Sequence, residues 1–491
     1  MDQLPALLIV IPLLAAPLAA ATRGARLPWL LTTAVSWVVF AMAAALALRV
    51  ATSGAISYTM GGWPPPWGIE LRIDILNVIV LLVVCGVGAA VTPFAGKSAP
   101  TEISEENLPL FYCLLLLTYT GLIGIAATGD IFNLFVFLEI SSLSSYALIA
   151  LGKDRRALTA AYQYLIMGTI GATFYLIGVG LLYSITGTLN MADLAERLPA
   201  VAGTRTAETA LAFLVAGIGL KLALFPVYLW LPNAYTHAPS VVSAFLAATA
   251  TKVAVYMLIR VLFTVFGADL SFERLPLQPV LIALSLVGIF VTSLIAWTQA
   301  DAKRLLAYSS VAQIGYMVIG LGLATTPGLT AAIVHLFNHA LMKGALFLAL
   351  GAVAYRIGST RINDMAGLGH AMPWTMSAFA IGGLSLIGVP LTAGFISKWY
   401  LIVAGLELGW WWLALAVLAA SLIAVMYVWK VIEAAWFREL PESRSDLGEA
   451  PLSLLLPMWL LVAANVWFGV DTRVSAGLAA KAAAVLLGTE P

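Results

Sequence analysis

Residues 217–230 read GIGLKLALFPVYLW. The stretch belongs in oil, yet it carries Lys221 near its middle and Pro226 five positions later. A second stretch, GVPLTAGFISKWY at 388–400, again combines a mid-span proline, Pro390, with a lysine, Lys398. Proline removes a backbone hydrogen bond and clashes with the preceding turn. A helix broken at membrane depth is tolerated where the freed groups face protein or a polar cavity. Two interrupted helices in corresponding halves of a chain point to an inverted-repeat transporter. The match is architectural, since Lys221 precedes its proline by five residues and Lys398 follows its own by eight.

Composition places these stretches in a membrane. The 491 residues are 62% hydrophobic and only 10% charged, with mean hydropathy +0.99. Apolar blocks of about 20 residues recur from end to end, long enough to cross the hydrocarbon core. A β-barrel would alternate in short segments instead. The fold expected is an all-α polytopic membrane protein of about fourteen spans. Their approximate limits are 4–22, 28–50, 73–94, 107–127, 130–151, 160–186, 207–230, 240–265, 277–300, 304–324, 328–355, 374–404, 409–436 and 451–470. The seventh and twelfth are the broken ones. The expected division is a three-helix segment over 1–106, a first inverted five-helix repeat over 107–265 and a second over 277–437. Residues 438–491 then hold the last span and a tail.

Smaller features follow from local chemistry. The opening, MDQLPALLIVIPLLAAPLAA, has a signal-like apolar core but Asp2 where a basic region should be, so it reads as a retained first helix. Residues 191–199 read as a short interfacial helix and 474–489 as an Ala-rich peripheral one. GGWPPPWGIE at 61–70 is a proline-locked cap, because consecutive prolines cannot continue a helix. Cys85 and Cys113 lie in apolar stretches and read as buried free thiols. Net charge +1 predicts no nucleic-acid partner.

Lysine and arginine alternate between the two sets of loops. One set holds Arg23, Arg26, Lys97, Lys153, Arg155, Arg156, Lys303, Arg304, Arg356, Arg361, Arg438 and Arg444. The other holds Arg72, Arg197, Arg205, Arg274, Arg473 and Lys481. The excess marks the first set as cytoplasmic and puts both termini outside.

Once loop charges are set aside, ionisable residues remain inside the spans, where they are costly and point to function. They are Glu139, Lys221, Lys252, His335, His339, Lys343 and Lys398, with Lys430 and Glu433 near a span end. Glu139 has Ser141, Ser142, Ser144 and Ser145 after it on its span, and its alternative role is a helix-packing ion pair. His335, His339 and Lys343, at i, i+4 and i+8, share one helical stripe. No carboxylate or cysteine joins them, so a hydrated proton wire fits better than a metal. Histidines bonded to neighbouring helices are the bland alternative. Lys430 and Glu433, at i, i+3, read either as a relay or as an end-of-helix ion pair. Low-dielectric surroundings disfavour an ammonium and a nearby carboxylate favours it. A lysine that approaches or leaves a glutamate is thus a proton switch. In that scheme Glu139 sets the proton affinity of Lys221, Lys252 and the histidines relay, and Lys398 exchanges at the far end.

These residues occur in motifs that resemble a known family. They are TGDIFNLFVFLEISSLSSYALIALG, GLKLALFPVYLWLPNAYTHAPSVVSAFLAATATKVAVY, DAKRLLAYSSVAQIGY, HLFNHALMKGALFL and GVPLTAGFISKWY, in that order. Over residues 70–440 the chain is similar to the antiporter-type subunits of respiratory complex I, membrane-bound hydrogenases and Mrp-type cation/proton antiporters. The resemblance implies Glu139 and Lys221 as a gating ion pair, Lys252 as central relay and Lys398 as terminal lysine. His335 and His339 would extend the connection. It also implies partner subunits in a hetero-oligomeric complex of a bacterial cell membrane, with protons and Na+ (or K+) as the ions. GDIFNLFVFLEI and TGTLNMADLAERL look most like the Mrp antiporters' D-type chain. The alternative is a proton-pumping subunit of a redox complex. The chain carries no cysteine cluster, nucleotide-binding glycine loop or flavin motif, so no cofactor or metal and no redox chemistry of its own are expected. The first three spans and the last, free of internal charge, read as contact surfaces for neighbouring subunits.

Overall fold

The structure, a computed structural model, describes residues 3–273 and 275–489. Met1, Asp2 and Arg274, which entered the reading of the N-terminus and the charge count, lie outside them. The chain runs through α1 (Leu4–Ala20), α2 (Arg26–Ser53), β1 (Ile56–Thr59), β2 (Glu70–Ile73), α3 (Ile75–Glu102), α4 (Leu108–Ala127), α5 (Ile131–Ala150) and α6 (Arg156–Thr186). It continues through α7 (Met191–Val201), α8 (Arg205–Leu222), α9 (Trp230–His237), α10 (Ser240–Ile259), a π-helical turn (Arg260–Val265), α11 (Ala268–Glu273), α12 (Leu277–Thr298) and α13 (Ala302–Gly322). The remainder is α14 (Thr326–Ile357), α15 (Leu368–Ala371), α16 (Pro373–Ile387), α17 (Ala393–Glu407), α18 (Trp411–Phe437), α19 (Leu452–Val470) and α20 (Arg473–Leu487).

Among the described residues, eleven helices are long and apolar enough to cross a membrane. Adding the shorter α1 and the two broken pairs, α8/α9 and α16/α17, gives the fourteen expected spans. The seventh and twelfth are indeed the interrupted ones. α7 forms where a short interfacial helix was expected, and α20 where an Ala-rich peripheral one was. Among the described residues the strands form one hairpin, β1 against β2 with Ile56 opposite Ile73, around the proline-rich cap.

Two expectations need correction. α3 runs eight residues past its expected end at 94, through Pro93 and Pro100, and carries Lys97 inside the helix. Protein encloses it there, and Trp29 Nε1 donates to the Thr92 carbonyl (3.1 Å) beside the first proline, so neighbours offset the disrupted ladder. α3 is also no outer contact surface. It is buried over most of its length and packs against α2, α4, α10, α14 and α19. Absence of charge marks burial against apolar helices as readily as exposure to lipid.

The two halves repeat with opposite direction. Asp130 caps α5 by accepting from Asn133 N (2.7 Å), and Asp301 caps α13 by accepting from Arg304 N (3.0 Å). Each is followed by a helix of 31 or 32 residues, α6 and α14, ended by a left-handed glycine, Gly187 and Gly358. The chain then returns to pair with the aspartate's segment, as bridges Asp130–Asn190 and Asp301–Arg361. Next comes the broken helix. The Asp301 end lies in a polar vestibule with Lys153, Arg156, Lys303 and Arg304. Gly129, beside Asp130, lines a different vestibule with Arg72, Asp74 and Arg260. α10 with its π-helical turn runs from the first vestibule to the second, about 39 Å at 1.5 Å per residue. Corresponding ends therefore sit on opposite faces.

The basic-face vestibule is tied together by Glu102 at the end of α3. It accepts from Ser240 N (2.8 Å) and Ser240 Oγ (2.9 Å) at the start of α10 and pairs with Lys303 (3.7 Å). In the adjoining loop, hydrogen bonds from Arg156 hold the Asp154 carboxyl below its usual range.

Candidate functional site

Both breaks are built by left-handed residues ahead of the prolines. α8 ends at Ala223 (φ 59°) and α16 at Gly388 (φ 94°), and Leu391 in the second break is also left-handed (φ 70°). For alanine and leucine this conformation costs about 1–2 kcal/mol each, so the surrounding packing must hold it. Trp230 Nε1 takes one carbonyl near the first break, Leu220 O (2.9 Å). At the second, Asn338 Nδ2 of α14 donates to Ala393 O (2.6 Å). Ser385 Oγ accepts from Gly394 N (3.0 Å) and donates to Asn465 Oδ1 of α19 (2.8 Å). A Cβ on Gly394 would collide with the Ser385 carbonyl. Gly394→Ala is therefore expected to destabilise the protein by about 1–3 kcal/mol, read as an earlier unfolding transition in detergent. An unchanged transition would show that the break can relax.

Lys221 sits in the last turn of α8, where the helix dipole favours a cation. Its Nζ donates to Ser142 Oγ (2.7 Å) and Tyr146 OH (3.2 Å) of α5. Glu139, one turn earlier on α5, lies within electrostatic reach of Lys221 but makes no ion pair among the described residues. Its Oε1 is buried without a protein partner. Serine and tyrosine hydroxyls thus stand where direct contact was expected.

The central residues are enclosed by α10, α13 and α14. Lys252 on α10 is fully buried and donates to the Ala247 carbonyl and to Thr251 Oγ1 (3.3 Å). Lys343 on α14, also fully buried, donates to Leu306 O (2.8 Å) and Ser309 Oγ (2.5 Å) of α13. Above it the rings of His335 and His339 stack, 5.8 Å between centroids and 4° apart. His335 Nδ1 lies 2.7 Å from Ser397 Oγ on α17. Lys398 on α17 reaches back across the break to Leu386 O (3.1 Å) and Ile387 O (2.8 Å), and to Ser421 Oγ of α18 (3.0 Å). Its ammonium lies 5.0 Å from the Tyr316 ring centre, and Tyr316 packs edge-on to His335 (5.8 Å). Lys252, Lys343, His339, His335 and Lys398 are within electrostatic reach of one another in succession. The structure therefore brings five of the seven expected residues into one succession that ends at the second break, while Lys221 and Glu139 stand together at the first break.

Several atoms beside this line are buried without a protein partner: Gln313 Oε1, Asn338 Oδ1, both ring nitrogens of His339, His335 Nε2 and Tyr427 OH. Buried polar groups are normally hydrogen-bonded, so these atoms are exceptions to the pairing around them. Gln313, Asn338, Asn465 and Tyr146 escaped sequence reasoning that looked only for charges. Uncharged polar residues in apolar spans were the available signal. Lys430 and Glu433 do not pair. Lys430 donates to Trp297 O (3.1 Å) and Gln299 O (2.8 Å), and Glu433 pairs with Arg438 (2.7 Å), since both reach outward at the end of α18. Cys85 and Cys113 are free and buried, and no cluster of metal-ligating residues occurs among the described residues.

Comparison with known proteins places this geometry. Residues 128–424, which span both breaks, match the model of the NADH:quinone oxidoreductase/Mrp antiporter transmembrane family. The chain belongs to that family. The N-type chain of the NADH-quinone oxidoreductase of Desulforudis audaxviator is 43% identical over 94% of each chain. The D-type chain of the Na(+)/H(+) antiporter of Alkalihalophilus pseudofirmus is 33% identical over 86% of this chain and 85% of that one. A solved chain of the membrane-bound sulfane sulfur reductase, an archaeal respiratory membrane complex, superposes with TM-score 0.91 at 32% identity, covering 99% of this chain and 98% of that one. The protein is thus an antiporter-like subunit of the Mrp or complex I-like kind. Members of the family form parts of multisubunit membrane complexes, and the polytopic helical fold is the family's own.

Proposed function

We propose that this chain is the proton-translocating subunit of a hetero-oligomeric membrane complex, moving protons along Lys221, Lys252, Lys343, His339, His335 and Lys398 with Glu139 controlling entry to the row. The observation that carries the reading is the row itself. Lysines and histidines at membrane depth, bonded only to neutral hydroxyls and carbonyls, are costly and serve no packing need. A proton passes between such groups when one loses its partner and the next gains one. The gap between Glu139 and Lys221, whose ammonium is held by Ser142 and Tyr146, is the switch in this scheme. Shortening that gap stabilises the Lys221 ammonium, and widening it releases the proton inward.

The two repeats, residues 107–265 and 277–437, are the moving halves, with 1–106 and 438–491 bracing them. The basic face is cytoplasmic by the positive-inside rule, which places both termini outside a bacterial cell membrane. Two kinds of complex house such subunits. Similarity to the quinone oxidoreductase chain, 43% against 33% for the antiporter chain, favours a redox-driven proton pump. The motifs GDIFNLFVFLEI and TGTLNMADLAERL support the second reading, the D-type chain of a Na+ (or K+)/H+ antiporter. Affinity purification of the chain from its native membrane separates the two. Co-purification of subunits carrying iron–sulfur clusters or flavin is expected for the first reading. A set of small antiporter subunits free of redox centres would replace it with the second.

A further inference from the structure

The conducting row and its surroundings differ in one physical respect. Beside the row, buried polar atoms lack protein partners. On the side of α10 that leads away from the basic face, none of the linking groups does. Lys252, Tyr256, Arg260 and Thr264 recur every fourth residue and form one stripe along α10 and its π-helical turn. The stripe ends at the floor of a cavity of about 550 Å³ on the face opposite the basic one. That arrangement resembles an open conduit from the vestibule to Lys252.

Arg260 closes it. The guanidinium is buried and its donors are spread over the stripe and α3. Nη2 donates to Asp74 Oδ1 (2.7 Å) and Asn77 Oδ1 (2.6 Å). Nε donates to Tyr256 OH (3.1 Å), and Nη1 to Thr264 Oγ1 (3.2 Å). Asn77 Nδ2 donates to Tyr256 OH (2.9 Å) and Ala126 O (2.6 Å), while the Tyr256 hydroxyl itself donates to Ala126 O (3.4 Å). Asp74 Oδ1 further accepts from Leu76 N (2.9 Å) and Asn77 N (3.1 Å). A proton entering from the vestibule needs an acceptor, and Asp74 Oδ1, Asn77 Oδ1, Thr264 Oγ1, the Tyr256 hydroxyl and the Ala126 carbonyl are each already held by an N–H. The guanidinium itself never gives up its proton, and a fixed cation in a constriction also repels protons and metal cations. Lys252, for its part, aims its ammonium the other way, at the Ala247 carbonyl.

We propose that Arg260 is a selectivity residue: with Asp74, Asn77 and Tyr256 it seals Lys252 from the vestibule on the face opposite the basic one, so that protons on Lys252 leave only toward the second repeat. The idea rests on the proposed function for the role of Lys252, and the two fail separately, since a seal is read from passive leak and the relay from driven transport. Without the seal the first repeat alone would short-circuit the membrane. The π-helical turn at Arg260–Val265 fits this use, because such turns recur at functional sites.

The test is passive proton leak in vesicles holding the purified complex, with no driving reaction and with a potassium diffusion potential imposed. Arg260→Gln frees the acceptors and leaves Asp74 able to carry a proton. Its leak is expected to rise at least about tenfold, the effect of a barrier lower by about 1.4 kcal/mol. Arg260→Lys keeps the pair with Asp74, and so the fold, but cannot serve Tyr256, Asn77 and Thr264 together. It is expected to leak to an intermediate degree. Asp74→Asn combined with Arg260→Gln removes the proton carrier and restores tightness. Wild-type tightness in Arg260→Gln or Arg260→Lys would overturn the proposal. So would a double variant as leaky as Arg260→Gln, since that identifies a general packing defect instead of a proton path.

Discussion

Glu139→Ala and Lys221→Ala, each introduced singly, are expected to lower driven proton transport by at least about a hundredfold, the lower range for loss of a positioned proton-transfer group. Assembly of the complex is expected to survive both. The reasons differ. Lys221 lies at the C-terminal end of α8 and donates to Ser142 and Tyr146, so in the proposed scheme its loss removes the first carrier. Glu139 touches no lysine, and its buried Oε1 has no protein partner, so its loss removes the charge that tunes Lys221 while breaking no ion pair. Glu139→Gln, similar in shape but neutral, is expected to match Glu139→Ala. Vesicle transport with the complete complex checks this. Full transport in both alanine variants would eliminate the switch at the first break.

Lys343→Met is expected to have an effect of the same order, about a hundredfold or more. Methionine fills the space of the lysine stem and adapts to irregular gaps, so the fold is retained. What disappears is the ammonium between Lys252 and the histidine pair. Leu306 O and Ser309 lose their donor, at a cost of about 1–3 kcal/mol, visible as a lower unfolding temperature. The combination of intact assembly and lost transport distinguishes a relay from a brace. A variant that transports normally would remove Lys343 from the path.

Much of this arrangement was legible in the sequence, and the reasons are physical. A lysine or histidine at membrane depth is costly enough to be read singly, so Lys221, Lys252, His335, His339, Lys343 and Lys398 could be named without coordinates. The breaks were legible because proline marks them, although the helices end at left-handed Ala223 and Gly388 just before Pro226 and Pro390. Partners were harder. Tyr146, Ser309 and Ser421 carry no charge, and their roles depend on which faces of α5, α13 and α18 turn inward. Arg260 was missed although it falls inside the expected eighth span, 240–265, where its charge was the available signal. Its partners Asp74 and Asn77 lie 186 and 183 residues away in the chain. The Lys430–Glu433 pairing failed for a related reason, since i, i+3 spacing permits contact but Trp297 O, Gln299 O and Arg438 offer nearer partners. The repeat's inversion was inferred from two proline breaks, and it is written most plainly in capping detail: Asp130 with Gly187 on one face, Asp301 with Gly358 on the other.

The central claim is that a proton resides on Lys252 and then leaves it. Arginine at that position keeps the positive charge but effectively never deprotonates. Driven proton transport by the complex carrying Lys252→Arg, reconstituted in vesicles and compared with wild type at equal protein content, tests the claim directly. The account predicts transport lost with assembly intact. Wild-type transport by Lys252→Arg would contradict it.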